Sequence, residues 1–211
     1  MDKKQMRNTL LLVGAAFIWG TAFVAQSVGS GYVGPYTFLA SRSWLACVFL
    51  LGLMAVLRKM GKTNSAAQGF WQNKPVLIKG GICCGVALFA ASAAQQMGIG
   101  TTSTAKAGFM TALYVVLVPV AGVFLGSRPG VKLWCCVAAS VVGLYLLCLA
   151  GRDTLSLTGG EWQLLVCAIR FTAQMRLVDH VSPQLDGIQL SFVQFFVVSV
   201  LSTIFAFVFE A

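Results

Sequence analysis

Acidic side chains are scarce in this chain: six Asp and Glu stand against 15 Lys and Arg, with a single His. Beyond the N-terminus the acids are Asp153, Glu161, Asp179, Asp186 and Glu210, each near the end of an apolar run. Paired carboxylates for acid–base catalysis are therefore missing, and an enzyme is not expected. His180 stands alone and none of the seven cysteines forms a CxxC pair, so neither a metal site nor a cofactor is implied. Charge of either sign is sparse, at 10% of residues, and forms no ring or filter motif of the kind a channel uses.

Apolar residues fill the space that charge leaves, at 58% of the chain. A soluble domain of 211 residues has too little interior to hide that much apolar material. A helix needs about 20 apolar residues to cross bilayer hydrocarbon. Seven stretches approach that length: 9–28, 36–57, 76–97, 104–125, 131–150, 162–178 and 188–209. The expected fold is an all-α polytopic membrane protein of about seven transmembrane helices, with the lipid bilayer as its first partner.

The net charge of +9 could suggest nucleic acid, but its placement speaks for topology. Alternate loops on one side carry Lys3, Lys4, Arg7, Arg58, Lys59, Lys62, Lys74, Lys79, Arg128 and Lys132. The other side carries Lys106 and Arg152, while Arg42, Arg170 and Arg176 fall within spans. Basic loops stay inside, so the N-terminus is expected in the cytoplasm and residue 211 outside, in a cell inner (plasma) membrane. Anionic headgroups, not nucleic acid, are the natural partner of such loops. The first span is too long for a signal-peptide core and no clear small-x-small cleavage site follows it.

All seven cysteines lie in spans and read as small packing residues. The longest loop, 58–75, is basic and contains Gly61-Lys62-Thr63, which mimics the end of a phosphate-binding loop. The upstream glycine that motif needs is Val56, so a plain cytoplasmic loop is the better reading. Gly81 and Gly85 form a GxxxG continued by Ala87, Ala91 and Ala94, and predict a close-packing helix face. Pro119 predicts a kink in the fourth span.

A faint repeat runs through the chain. Leu11-Leu12-Val13-Gly14-Ala15 aligns with Leu164-Leu165-Val166-Cys167-Ala168; onward, Gln26 meets Asp179 and, after a one-residue gap, Arg42 meets Gln194. Five helices separate the copies, and an odd number places the second copy upside down, as in many secondary transporters. Residues 1–150 then form one five-helix repeat and 151–211 the first two helices of a second, inverted one.

Several motifs resemble the EamA branch of the drug/metabolite transporter superfamily. Phe17-Ile18-Trp19-Gly20-Thr21-Ala22-Phe23 looks like its aromatic-Trp-Gly signature. Thr102 to Pro119 looks like its fourth helix, Gly143-Leu144-Tyr145-Leu146-Leu147 like the end of its fifth, and Asp186-Gly187 with Gln194-Phe195 like the opening of its second repeat. The resemblance implies ten helices in two inverted repeats that move small metabolites by alternating access. The chain departs from that pattern in holding seven spans, in Gly126-Ser127-Arg128 where many members have Gly-Glu, and in Arg170 and Arg176 within the sixth span. Glu210 at the end of an apolar run reads as a chain interrupted within a fold.

Five residues are the candidates for substrate binding: Trp19, Arg42, Gln95, Lys106 and Tyr114. Arg42 lies about 9 Å into the second span, where a charge either faces a cavity and an anionic substrate group or snorkels to headgroups. Lys106 follows Thr101, Thr102, Ser103 and Thr104, whose hydroxyls and helix-start amides suit an anion, or form an ordinary capped helix start. Tyr114 lies two turns below Lys106, about 80° from alignment. Gln95 and Gln96 could line a path or bond across helices. Trp19 beside Gly20 argues for helix packing at least as much as for ligand contact. Two functions remain open: a secondary transporter of a small metabolite such as an amino acid, amine or carboxylate, or a non-transporting or inactive half that needs a second copy or a homologous half.

Overall fold

The computed structural model describes residues 3–60, 74–126, 130–148 and 159–210. Gly61-Lys62-Thr63, Arg128 and Arg152 lie outside them. The described chain is helical, in the order α1 (Lys3–Gly29), α2 (Pro35–Lys59), α3 (Lys74–Ile99), α4 (Thr104–Ala112), α5 (Tyr114–Phe124), α6 (Val131–Cys148), α7 (Gly159–Val181) and α8 (Gly187–Phe209), with a 3₁₀ turn at Ser182–Gln184. Among the described residues there is no strand, and the protein is an all-α polytopic membrane protein.

Five of the expected spans are helices long and apolar enough to cross a bilayer: α1, α2, α3, the α4–α5 rod and α8. The other two differ in kind. The apolar part of α6 is shorter, Val131–Gly143. Helix α7 carries Glu161, Arg170, Arg176 and Asp179, and its burial comes from protein rather than lipid.

The core forms around α3. A Cβ at Gly81 would overlap Val193 of α8, and one at Gly85 would overlap Val197. Gly80 meets Val181 of α7 in the same way, and Gly98 meets Leu164. Further along, Ala91 and Ala94 pack with Cys167 and Phe171 of α7. The small residues of α3 therefore serve two partners rather than one continuous face: Gly81 and Gly85 receive α8, while the alanines receive α7. Dispersion contacts between closely approaching backbones replace the hydrophobic driving force that lipid removes.

Polar ties then fasten α7. Arg170 Nη1 donates to the Ala90 carbonyl at 3.0 Å, and Gln174 Nε2 donates to Gln194 Oε1 at 3.0 Å. Arg176 lies 3.7 Å from Asp179 one turn on. A helix with these side chains is tolerated at membrane depth because neighbouring helices satisfy Arg170 and Gln174 and its own Asp179 meets Arg176.

The fourth span is interrupted at Leu113, where the backbone tightens to an i→i−3 bond onto the Met110 carbonyl. Pro119, the expected kink site, lies inside α5 and offers no N–H to the Val115 carbonyl. The cysteines divide. Cys47, Cys84 and Cys167 are buried packing residues, whereas Cys83, Cys135 and Cys136 are exposed, so the packing reading does not extend to them.

Contacts sort the helix ends. Ser27 of α1 meets Thr104, Tyr36 of α2 meets Met97 and Glu210, and Lys106 meets Glu161. One end of the bundle therefore gathers the C-termini of α1, α3 and α8 with the N-termini of α2, α4 and α7. Arg7, Arg58, Lys59, Lys79 and Arg176 sit toward the opposite end. Gly85→Val should lower stability by about 1–3 kcal/mol through overpacking against Val197. Gly52→Ala, with open space around it in the interior of α2, should hold or raise the melting temperature in detergent.

Candidate functional site

Two neighbourhoods meet on opposite sides of α4. The first is an ion pair. Ser103 caps α4 by accepting from the Lys106 amide at 3.4 Å, which sets Lys106 in the first turn facing α7. Lys106 Nζ donates to Glu161 Oε1 at 3.3 Å, and the two side chains are 13% and 4% exposed. The neighbouring hydroxyls are engaged by protein: Thr104 donates to Ser27 Oγ at 2.7 Å, and Thr101 donates to the Gly98 carbonyl at 3.1 Å. Protein groups thus engage Thr101, Ser103, Thr104 and Lys106 of the expected cluster.

Glutamines lie at the same end. Gln96 Nε2 reaches the Gln26 carbonyl at 3.5 Å, and Gln26 Nε2 donates to Ala22 O at 3.2 Å. Gln26 Oε1, Gln95 Nε2 and Gln96 Oε1 are buried with no hydrogen-bond partner among the described residues. In a membrane interior such orphaned groups cost about 1–3 kcal/mol each.

The second neighbourhood is a cavity of about 270 Å³ between α1 and α4–α5. Its α1 wall is Ala16, Trp19, Gly20 and Phe23, spaced i, i+3, i+4 and i+7 on one helix face. Gly108, Thr111, Ala112 and Tyr114 form the facing wall. Trp19 stacks at a tilt on Tyr114, with centroids 5.7 Å apart, and Tyr114 reaches Phe171 of α7 at 6.3 Å. A Cβ at Gly20 or Gly108 would meet nothing within 4 Å. Gly20 therefore leaves space open, while Trp19 itself packs on Tyr114 of the neighbouring helix. Two wall residues, Thr111 and Tyr114, carry hydroxyls, and Thr111 Oγ1 is buried without a hydrogen-bond partner among the described residues.

At about 100° per residue, Lys106 points roughly 170° away from the centre of the Gly108, Thr111 and Ala112 face. Of the five expected residues, Trp19 and Tyr114 come together in the cavity, and Lys106 is engaged with Glu161 on the far side of α4. Gln95 is buried in α3. Arg42 is half-buried in α2, and no hydrogen bond or ion pair joins it to the described residues. Sequence reasoning missed Glu161, Gln26 and Thr111. Glu161 was findable: alternating helix direction places its helix start at the same end as that of Lys106. Among the described residues no three His, Cys, Asp or Glu gather as a metal site requires.

A family model described as the EamA-like transporter family matches residues 6–149. An uncharacterized transporter of Archaeoglobus fulgidus is 28% identical over 204 residues, covering 96% of this chain and 59% of that protein. The chain thus spans about 59% of the length of this relative. No solved structure matches.

The geometry makes the buried ion pair a stability element. Lys106→Met alone should destabilise the protein by about 3–5 kcal/mol, because it removes one partner of a buried ion pair. Lys106→Met combined with Glu161→Gln should recover part of that loss in a thermal melt; additive losses would show that the two charges act independently.

Proposed function

We propose that this chain, which belongs to the EamA-like transporter family, carries a small metabolite across the membrane as a secondary transporter working by alternating access. One observation supports this reading above the rest: the cavity between α1 and α4–α5, walled by Trp19, Phe23 and Tyr114 with the unpartnered Thr111 hydroxyl. Its glycines hold space open, its rings suit a flat apolar portion, and Thr111 supplies one hydrogen bond to a polar group of the guest. Among the described residues no charged side chain lines it. A substrate with an apolar portion therefore fits better than a small, purely anionic one. Arg42 and Gln95, with the Lys106–Glu161 pair, are assigned to the path beside this cavity.

The expected orientation puts the basic end in the cytoplasm of a cell inner membrane, with the Lys106–Glu161 end outside. The inverted-repeat reading of 1–150 and 151–211 draws support from α2 and α8, its matched second helices, which pack antiparallel through Trp44–Thr203 and Tyr36–Glu210. A second reading, assembly with another copy or a homologous half, is favoured by α1, where every residue from Gln5 to Thr21 is exposed.

Proteoliposomes holding the chain should move radiolabelled metabolites that bear a flat apolar portion faster than protein-free liposomes do, in a panel of neutral aromatics, amino acids, amines and carboxylates. Gly108→Leu, whose Cβ would meet nothing within 4 Å, should fill the cavity and remove that flux while the protein stays folded in a thermal melt. A wild-type flux equal to that of protein-free liposomes for every compound would leave the non-transporting reading standing.

A further inference from the structure

Helix α2 begins at a residue that cannot cap it. Gly34 holds the N-cap position without a side chain, and the N–H groups of Tyr36 and Thr37 are the ones that a capping oxygen ordinarily serves. The missing oxygens arrive from the far end of α8. Glu210 Oε1 accepts from Tyr36 N at 2.7 Å, while Oε2 accepts from Thr37 N at 2.8 Å and from Thr37 Oγ1 at 2.6 Å. A Cβ at Gly34 would overlap the Glu210 carboxylate, so the glycine makes room for a cap supplied by another helix. The charge also gains from the α2 dipole.

Rings reinforce this contact. Tyr36 lies 5.5 Å from Phe205 and 6.0 Å from Phe209 of α8, and Phe205 lies 5.1 Å from Phe89 of α3. Deeper along the same α2–α8 interface, Trp44 Nε1 donates to Thr203 Oγ1 at 3.1 Å, and the remaining polar groups are small. Ser43 and Ser202 hydroxyls are buried without a hydrogen-bond partner among the described residues, and Cys47 Sγ meets Ser199 Oγ at 3.6 Å. A cavity of about 300 Å³, lined by Thr37, Ala40, Thr203, Ala206, Phe207 and Glu210, lies beside the carboxylate. The interface thus carries its carboxylate tie at its tip and is lined below by small polar groups that water can solvate once the helices part.

We infer that Glu210 is a latch: its carboxylate on the α2 N-terminus, with the Tyr36–Phe205–Phe209 rings, closes one end of the α2–α8 interface, and release of that carboxylate opens it. The latch rests on the transport reading only in so far as its opening is called a gate. Opening itself is measurable without any substrate, because the chain carries its own reporter. Cys47 lies in this interface and is 3% exposed.

The experiment reconstitutes the full chain in lipid vesicles, applies a membrane-impermeant thiol reagent, and follows modification of the Cys47 peptide by mass spectrometry. Hydrogen bonds to charged groups are among the stronger protein contacts, so Glu210→Gln should speed Cys47 labelling about tenfold. Gly34→Val should do the same by displacing the carboxylate, and Thr37→Val, which removes one of three bonds, should give about threefold. Labelling of Glu210→Gln and Thr37→Val at the wild-type rate would overturn the latch. Should Glu210→Gln fail to give monodisperse protein, Thr37→Val decides alone. Labelling that depends on Glu210 in a chain that moves no metabolite keeps the latch and removes the transport reading; transport with labelling indifferent to Glu210 does the reverse.

Discussion

Close approach along α3 is the constraint on which the rest of this structure depends. In lipid, apolar side chains gain nothing by leaving their surroundings for one another, so helices must associate through contact area and hydrogen bonds. Gly80, Gly81, Gly85 and Gly98 supply that area by letting Val181, Val193, Val197 and Leu164 reach the α3 backbone. With α7 and α8 seated this closely, Gln174 can reach Gln194, and Arg170 the Ala90 carbonyl. The polar helix α7 is a product of the glycines on α3.

The same packing decides what α4 can do. One side of α4 buries Ala107, Phe109 and Met110 with Leu164 of α7, and sets Lys106 against Glu161. Its other side, Gly108, Thr111 and Ala112, is nearly free of bulk and faces the rings of α1. The helix thus separates a charged, internally satisfied neighbourhood from an apolar one that retains an unsatisfied hydroxyl. Tyr114, placed just after the break at Leu113, touches both sides through Trp19 and Phe171.

Much of this was legible in the residues. Apolar run length located the helices, and the alternation of basic loops agrees with the sorting of helix ends seen through Ser27–Thr104 and Lys106–Glu161. The GxxxG at Gly81 and Gly85 correctly announced close packing, and the family resemblance carried by Trp19-Gly20 and Thr102–Pro119 agrees with the match over 6–149. What one dimension hides is which partner answers a polar group. Lys106 and Glu161 are 55 residues apart, and Glu210 and Tyr36 are 174 apart. Nothing local to Lys106 says that its charge is matched, nor does anything near Gly34 say that its cap comes from α8. A helical wheel places Lys106 and Tyr114 nearly together, but an ideal wheel cannot anticipate the tightened turn at Leu113 or assign the two faces to different neighbours.

The polarity of α7 also has a consequence for timing. A segment bearing Glu161, Arg170 and Arg176 is a poor candidate to enter a bilayer alone, since each charge near a helix centre costs about 2.5–3.5 kcal/mol on insertion. Synthesis runs from the N-terminus, so α3, α4 and α5 leave the ribosome first. By the time α7 emerges, the Ala90 carbonyl, the Lys106 ammonium and the glycine notches of α3 are already in the membrane to receive it. Gln194 of the strongly apolar α8 follows and completes the last hydrogen bond. The order of helices along the chain thereby doubles as an assembly schedule, in which the least lipid-compatible element arrives after most of the surfaces that make it tolerable.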